Sequence, residues 1–303
     1  MIDVFAHVLP PKFLAQMLQI DSNVFEKNSW MKNPLLTDID KRLATMQPNQ
    51  QEILSMVNLN PEDFVDGDQA ATLCEAANEE LQQIASNSTS SFPAVVAMLP
   101  MNNIAEAMAI IDSQVINNPL VAGVQLFTRA IGKEITDESF SPLFAKMAES
   151  GKPIWLHPVF DERKSDNNLT FSWEYEQTLA MNQIVTKNFF TKYPGLKIIV
   201  HHAGAMVPYF ARRIFYIQGE ARYEAFKHFY VDTAVLGNSK AIEMAVDFFG
   251  EDHVLFGTDT PLGIKPNGPT SVIKQSLDQS NLTSIQKEKI FTGNWQQLIQ
   301  RIK

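Results

Sequence analysis

The sequence alternates between short apolar runs and longer segments with helical periodicity. Most of the runs are nearly continuous in apolar residues, which is typical of strands that are buried on both faces of a parallel sheet. Eight runs are predicted as strands, at residues 2–8, 52–58, 94–98, 121–127, 154–157, 197–202, 229–232 and 254–258. Amphipathic helices are predicted between them, at residues 68–86, 104–116, 140–150, 178–192 and 241–249. This alternation predicts an α/β fold, and eight βα units that close on themselves form a (β/α)8 TIM barrel with no exposed edge.

A barrel of ordinary size accounts for all 303 residues, so a single domain is predicted over residues 1–303. The connection at residues 9–46 is long for a βα loop. It contains Trp30 and a helix that is predicted to be capped by Thr37 or Asp38 and to run through Met46. We interpret it as an insertion after the first strand that folds over the mouth of the barrel. A polar stretch at residues 161–173 is predicted to be a mobile loop beside the site.

Composition excludes several classes of partner. The net charge of −9 and the lack of a basic stripe argue against nucleic acid. The single cysteine, Cys74, excludes an internal disulfide and fits a reducing compartment. No leader pattern and no apolar stretch long enough to span a bilayer stand out, so we expect a soluble cytoplasmic protein without a membrane partner.

Metal-capable side chains stand at the ends of four predicted strands. His7, His157, the pair at residues 201–202 and Asp259 each follow an apolar run. In a parallel barrel these ends meet at one rim. Neutral imidazoles and a carboxylate are ligands of zinc and related divalent ions. One such histidine alone would be read as structural, but their joint occurrence favours a metal site.

Alternation along the sixth strand decides which histidine of the pair is assigned to the site. His202 shares a face with Ile198 and Val200, whereas His201 takes the other face. We assign His202 to the site and expect His201 to face the surrounding helices. Asp232, at the end of the seventh strand, is interpreted as a loop anchor.

Seven short motifs follow one another along the chain: Ile2-Asp3-x-x-x-His7, Gly123-Val124-Gln125, Leu156-His157-Pro158, His202-x-Gly204-x-x-x-Pro208 with Arg213 beyond it, Phe229-Tyr-Val-Asp-Thr-Ala234, Leu255-Phe-Gly-Thr-Asp259-x-Pro261 and Ile290-Phe-x-Gly-Asn294. Their order and spacing resemble the amidohydrolase superfamily, in the branch of aminocarboxymuconate-semialdehyde decarboxylase, resorcylate decarboxylase and related carboxy-lyases. The resemblance covers essentially the full length.

The resemblance implies a metal centre with His7, His157 and Asp259 as ligands. It implies that His202 lies beside the metal or activates a metal-bound water, and that Asp259 can also shuttle a proton. The fourth strand has no lysine to carbamylate, so the resemblance implies one metal ion, with Zn²⁺ expected first and Mn²⁺ as the alternative.

Two further residues are assigned to substrate binding. Arg213 matches an arginine that, in close relatives, reaches the substrate carboxylate of a neighbouring subunit, so the resemblance also implies a homodimer. Trp30 is assigned either to the pocket lining or to the core.

Phe5 departs from the family pattern. It stands where the family has the first metal ligand of strand one, and its ring is expected to point toward the metal and the substrate. Three consequences are open. A metal could stay on His7, His157 and Asp259, with His202 as a further ligand, at weakened affinity. The metal could be lost, with His202 and Asp259 left as an acid–base pair, or enzymatic activity could be lost. We favour the first.

The activity expected from these residues is metal-assisted decarboxylation of a small unsaturated or aromatic carboxylic acid. His202 or Asp259 would deliver the proton, and Arg213 would hold a second anionic group. The alternative is hydrolysis of a lactone, amide or similar bond, in which His202 takes a proton from a metal-bound water. A second alternative is a barrel that has lost catalysis and binds a ligand.

Overall fold

Seven parallel strands form the central sheet of the computed structural model, which describes residues 1–300. The strand order along this sheet is β1-β2-β3-β4-β7-β8-β9, and β5 pairs with β6 in a separate antiparallel hairpin. The strands are β1 (Ile2–Val8), β2 (Gln51–Met56), β3 (Ala94–Ala97), β4 (Val121–Phe127), β5 (Arg129–Ala130), β6 (Lys133–Glu134), β7 (Ile154–His157), β8 (Ile198–Val200) and β9 (Tyr230–Val231). The first, fourth and fifth predicted strands agree with β1, β4 and β7 residue for residue.

The predicted eighth strand, at residues 254–258, is not a regular strand. It makes isolated parallel bridges instead, from Val254 to Val231 and from Thr260 to Ala6. Backbone hydrogen bonds add to them, including one of 2.7 Å from the amide of His7 to the carbonyl of Thr260. The segment therefore connects β9 to β1, and the parallel sheet curls as an α/β barrel requires. The backbone leaves the extended conformation at Asp259, whose φ is 66°.

The helices pack outside the sheet. They are α1 (Pro11–Ile20), α2 (Val24–Lys27), α3 (Pro34–Thr37), α4 (Ile39–Thr45), α5 (Gly67–Asn87), α6 (Ile104–Ile110), α7 (Ser141–Ser150), α8 (Ser172–Thr186), α9 (Phe189–Lys192), α10 (Ala211–Gln218), α11 (Glu220–Phe226), α12 (Ser239–Phe249), α13 (Thr270–Asp278), α14 (Ser284–Glu288) and α15 (Asn294–Gln300). None of the helices among residues 1–300 combines the length and the apolar character that crossing a bilayer would require.

The helix predictions are confirmed in outline, with two departures. The helix predicted at residues 104–116 is α-helical over α6 and continues as a π-helix over Ile111–Ile116. The helix predicted at residues 178–192 is divided between α8 and α9, because Asn188 takes a left-handed conformation with φ of 55°. Asp38 is the N-cap of α4 and accepts a hydrogen bond from the amide of Lys41, as one of the two predicted caps. Helices α1–α4 occupy the long connection between β1 and β2. That this connection is an insertion, and that the chain is one domain, stay predictions.

Apolar side chains pack on both faces of the sheet. Trp155, Ile199 and Leu255 belong to a cluster inside the curl, and the indole of Trp155 donates to the carbonyl of Val4 at 2.8 Å. Ile198 and Val200, which flank Ile199, belong instead to the larger cluster between the sheet and the helices. The inward positions of β8 are therefore odd-numbered, and this parity decides which side chains reach the site.

A β-bulge in β1 resets the direction of its side chains. Asp3 pairs with Glu52 and Ala6 pairs with Leu54, so β1 uses one more residue than β2 between the two pairs. Val4 and Phe5 both join the inner cluster as a result. The bulge therefore places His7 on the inner side, two residues after Phe5.

Arg42 of α4 fastens the connection between β1 and β2 to the sheet. Its side chain is 2% exposed and its Nε lies 2.7 Å from Oε2 of Glu52 on β2. The same guanidinium donates to the carbonyls of His7, Leu35 and Thr260, at 2.5, 3.3 and 3.4 Å. A buried ion pair of this kind is costly to break, because the remaining charge has no water around it.

Arg42→Ala is therefore expected to lower the free energy of unfolding by about 3–5 kcal/mol. Urea unfolding followed by circular dichroism measures the change. Lys274→Ala is the control, because Lys274 pairs with Asp278 on the surface at 2.6 Å, and loss of that pair should cost only about 0.3–0.5 kcal/mol. Equal losses in the two variants would contradict a structural role of the buried pair.

Glu62, in the turn that follows β2, is a buried carboxyl group. Its side chain is 8% exposed and its Oε2 has no hydrogen-bond partner among the described residues. Burial raises the pKa of Glu62 from the ordinary 4.5 to about 8. The folded protein therefore keeps a proton that the unfolded chain releases, and stability that is present below pH 4.5 is lost as the pH rises through about 8.

Glu62→Gln removes this titration. The free energy of unfolding of the variant relative to the parent should rise by on the order of 4 kcal/mol between pH 4.5 and pH 8, and then level off. Urea titrations at several pH values measure the difference. Glu79→Gln, on the exposed face of α5, should show no such trend, and a flat profile for Glu62→Gln would show that Glu62 is ionised in the folded protein.

Candidate metal centre

Three histidines and one aspartate converge at the carboxyl ends of the strands. His7 lies on β1, His157 ends β7, His201 follows β8 and Asp259 follows the segment that joins β9 to β1. Each residue offers one ligand atom, and these four atoms all lie within 4.8 Å of one another. Oδ1 of Asp259 is 3.1 Å from Nε2 of His7 and 3.5 Å from Nε2 of His201. The structure thus brings His7, His157 and Asp259 together, as the sequence predicts.

The fourth member is His201, so the assignment of His202 to this cluster was wrong. The amide of His201 still bonds to the carbonyl of Leu156 on β7, and its side chain follows the inward parity of Ile199. At His202 the backbone turns to a positive φ of 55°, and the ring moves away. Its Nδ1 lies 2.6 Å from Oε1 of Glu174. Sequence alternation separated the two histidines correctly but assigned the wrong face to the interior.

Hydrogen bonds orient the imidazole rings of His157 and His7. Nδ1 of His157 lies 2.6 Å from the carbonyl oxygen of Pro158. A carbonyl can only accept, so Nδ1 carries the proton and Nε2 keeps its lone pair. Nδ1 of His7 lies 3.1 Å from Oγ of Ser55, its partner in the β1–β2 register. Both rings are therefore held through Nδ1, as is usual for metal-binding histidines.

His201 is oriented by a buried carboxylate. Its Nδ1 makes a short hydrogen bond with Oδ2 of Asp232, and both side chains are inaccessible to solvent. The other oxygen of Asp232 accepts hydrogen bonds from the backbone amides of Ala203 and Ala234, each at 3.0 Å. Asp232 does anchor the loop, as interpreted from the sequence, but it also fixes the ring of His201 so that Nε2 faces Asp259.

The residues fit a divalent cation. Nε2 of His7 and Nε2 of His201 are buried and have no hydrogen-bond partner of good geometry among the described residues. Buried polar atoms are rarely left in this state, and a cation between them would satisfy both. Three imidazole nitrogens and one carboxylate oxygen are the donor set that Zn²⁺ and Mn²⁺ accept.

Electrostatics favours the ligand forms of three of these residues. Burial lowers the pKa of His7 and lowers that of His157 well below its usual range, which keeps both rings neutral. Burial would raise the pKa of Asp259, but the imidazoles of His201 and His7 beside its carboxylate hold it well below its usual range. Burial likewise opposes a charge on His201, but Asp232 and Asp259 outweigh it and raise its pKa to about 10. Without a metal, a proton on His201 offsets part of the negative charge of Asp232 and Asp259.

Phe5 lies beneath the cluster. Its ring is fully buried and stacks on the ring of His201, with centroids 4.2 Å apart and planes 28° apart. It does not line the cavity described below, so its assignment to substrate binding was wrong. The expected weakening of the metal site is not borne out, because the cluster has four donors without Phe5.

A cavity of about 540 Å³ opens above the cluster. Three aromatic rings form one wall: Trp30 stacks on Phe160 at 6.2 Å, and Phe160 meets Trp173 edge to face at 4.7 Å. Trp30 therefore lines the cavity. The sequence had left open whether it lines the pocket or belongs to the core. The lining also includes His7, Val57, Asn58, His157, Leu169, Thr170, Glu174, His202, Ala205, Met206, Ala234, Val235, Leu236, Asp259, Leu262 and Gly263.

Arg213 does not reach this cavity within one chain. It lies on the exposed side of α10 and is absent from the lining. His202 and Asp259, the two predicted proton carriers, do line the cavity. Glu174 was not predicted as a site residue, and Trp173 was predicted only as part of the loop beside the site, because no local pattern shows that the start of α8 folds toward the strand ends.

The adjacent histidines provide a matched test of the metal centre. His201→Ala should lower the affinity for Mn²⁺ or Zn²⁺ by at least about 10–100-fold, the loss seen when even an outer partner of a metal ligand is removed. His202→Ala should leave it within about threefold, because its ring lies outside the cluster. Isothermal titration of metal-depleted protein measures both, and the reverse result would restore His202 as the ligand.

Comparison with known proteins identifies the family of the chain. The family model described as Amidohydrolase matches residues 2–296. A 6-methylsalicylic acid decarboxylase from Penicillium expansum is 26% identical over 326 residues, covering 100% of this chain and 97% of that protein. A 2-amino-3-carboxymuconate-6-semialdehyde decarboxylase from Dictyostelium discoideum is 22% identical over 294 residues, covering 91% and 77%.

The fold is shared with a solved structure. The crystal structure of a dihydroxybenzoic acid decarboxylase from Polaromonas, with bound manganese and an inhibitor, matches with a TM-score of 0.81 at 19% identity. The match covers 100% of this chain and 97% of that one. The resemblance inferred from the motifs is confirmed: the chain belongs to the amidohydrolase family, in the branch that contains these decarboxylases.

Proposed function

We propose that the protein is a metal-dependent carboxy-lyase that removes CO2 from a small aromatic or unsaturated carboxylic acid. The observation that carries this proposal is the position of the His7, His157, His201 and Asp259 cluster at the floor of a cavity with an aromatic wall. The decarboxylase names of the relatives support it.

The cluster would hold one divalent ion through Nε2 of His7, His157 and His201 and through a carboxylate oxygen of Asp259. When bound, such an ion supplies Lewis acidity, which stabilises negative charge on the oxygens of an acid substrate. Zn²⁺ was expected from the sequence, whereas the similar Polaromonas structure contains manganese. We therefore propose Mn²⁺ or Zn²⁺ as the ion.

Decarboxylation breaks the bond between the carboxyl carbon and the ring, and leaves an electron pair on the ring carbon. That carbon must then take one proton. His202 is our first candidate for its delivery, because it lines the cavity and is held by Glu174 at 2.6 Å without belonging to the metal cluster. Asp259 is the second candidate, although both His7 and His201 hold it as a carboxylate. The aromatic wall of Trp30, Phe160 and Trp173 would keep water from the ring.

The alternatives have less support. Hydrolysis of a lactone or amide would use the same ion and His202, but the names of the relatives favour decarboxylation. A barrel without catalysis was inferred from Phe5, and the four-donor cluster forms without that residue. A homodimer is retained as a proposal, because α10 exposes Tyr216 and Ile217, at 72% and 68%, beside Arg213.

Release of CO2 tests the proposed function. Metal-depleted protein should be inactive on hydroxybenzoic acids, and Mn²⁺ or Zn²⁺ should restore CO2 release. His202→Asn should lower kcat by about 10²–10⁴-fold while metal content stays unchanged, because only proton delivery is lost. Glu176→Gln is the control on the same helix, because Glu176 pairs with Lys164 and not with His202.

Two results would contradict the proposal. One is CO2 release that does not depend on added metal. The other is acid release from lactones or amides in place of any CO2 release, which would favour the hydrolase.

A further inference from the structure

Charge is distributed unevenly around the cavity. Over the described residues 1–300, no lysine or arginine lines its wall, whereas Glu174 and Asp259 both do. Basic residues of the neighbouring loop are paired elsewhere. Lys164 binds Glu176, and Arg163 lies 2.7 Å from Asp161. A substrate in this cavity therefore meets two carboxylates on the wall, and no lysine or arginine of the chain that forms the cavity.

His202 does not supply a free positive charge. Its Nδ1 lies 2.6 Å from Oε1 of Glu174, and Glu174 is itself three-quarters buried. Any positive charge on this ring would be offset by that carboxylate before it could attract a second anion. The two residues together are neutral or negative toward the substrate.

The metal centre can balance only one substrate carboxylate. A divalent ion brings two positive charges, of which Asp259 offsets one, so at most one is left for the substrate. Asp232 adds a further negative charge behind His201. A second anionic group on the substrate would be left in an apolar cavity without a counter-ion. An unpaired charge in such surroundings is strongly disfavoured.

The cavity does offer neutral, mainly apolar surface. The indole rings of Trp30 and Trp173 line it together with Phe160, whereas the Nε1 atoms of both indoles are buried and do not open to solvent. Walls of this kind suit a flat ring with uncharged substituents such as alkyl groups, and they offer nothing that would balance a charge.

We propose that the cavity selects aromatic acids that carry a single carboxylate and neutral ring substituents, and that Glu174 helps to exclude acids with a second carboxylate. This proposal rests on the proposed function, of which it names the substrate class. It departs from the expectation that Arg213 holds a second anionic group, because Arg213 lies outside the cavity of its own chain. Entry of Arg213 from a second copy is the rival explanation.

A matched pair of acids tests the selection. In 3-hydroxyphthalate a carboxylate replaces the methyl group of 2-hydroxy-6-methylbenzoate, and the rest of the ring is the same. With full-length protein loaded with Mn²⁺, isothermal titration should give a Kd at least about 100-fold lower for the methyl acid, and kcat/KM for CO2 release should follow.

Glu174→Gln should reduce this preference by about tenfold, because it removes one repelling charge from the wall. Glu162→Gln is the control. Its side chain is 84% exposed in the same loop region, so it removes an equal charge from the surface and should leave the preference unchanged.

Equal or tighter binding of 3-hydroxyphthalate would overturn the proposal. If Arg213→Ala then abolished that binding, the missing cation would be Arg213 of a second copy. Failure of the proposed function looks different: neither acid would release CO2, while the ratio of the two Kd values would still report the selection.

Discussion

Three imidazole nitrogens and a carboxylate oxygen face one another in a space from which water is largely excluded, and this arrangement governs the rest of the site. Lone pairs that converge in this way repel one another unless a positive charge lies between them. A proton on His201 meets part of that need, and a divalent ion would meet it fully. The residues at the carboxyl edge of the sheet are therefore arranged to bind a cation. The aromatic cavity above them is placed to hold a molecule that this cation binds.

Each ring of the cluster is oriented by a group from its own strand or from a neighbouring one. Ser55 on β2 meets His7, Asp232 after β9 meets His201, and the backbone at Pro158 meets His157. Because adjacent strands keep a constant spacing, these partners are held as rigidly as the ligands themselves. Phe5 adds a flat apolar support under His201. A residue that looked like a lost ligand in the sequence therefore acts in packing.

Much of the fold and part of the site could be predicted from the sequence. Apolar runs that end in His7, His157 and Asp259 mark three strand ends, and the ends of parallel strands must meet. The parity of β8 could not be predicted, because Ile198, Ile199 and Val200 are equally apolar and a strand buried on both faces has no polar side to orient it. The bulge in β1 has no sequence signal either. Of the aromatic wall, Phe160 and Trp173 were not predicted as lining residues, because they reach the strand ends only through tertiary packing of the loop after β7.

The contact between Arg42 and the carbonyl of His7 joins the metal centre to the helices between β1 and β2. A cation that restrains the ring of His7 also restrains the carbonyl of His7. It thereby restrains the guanidinium of Arg42, and with it α4. By thermodynamic linkage, the docking of this connection must in turn strengthen the hold on the ion. Metal occupancy should therefore be readable far from the ligands, as slower proteolysis and slower amide exchange across residues 9–46.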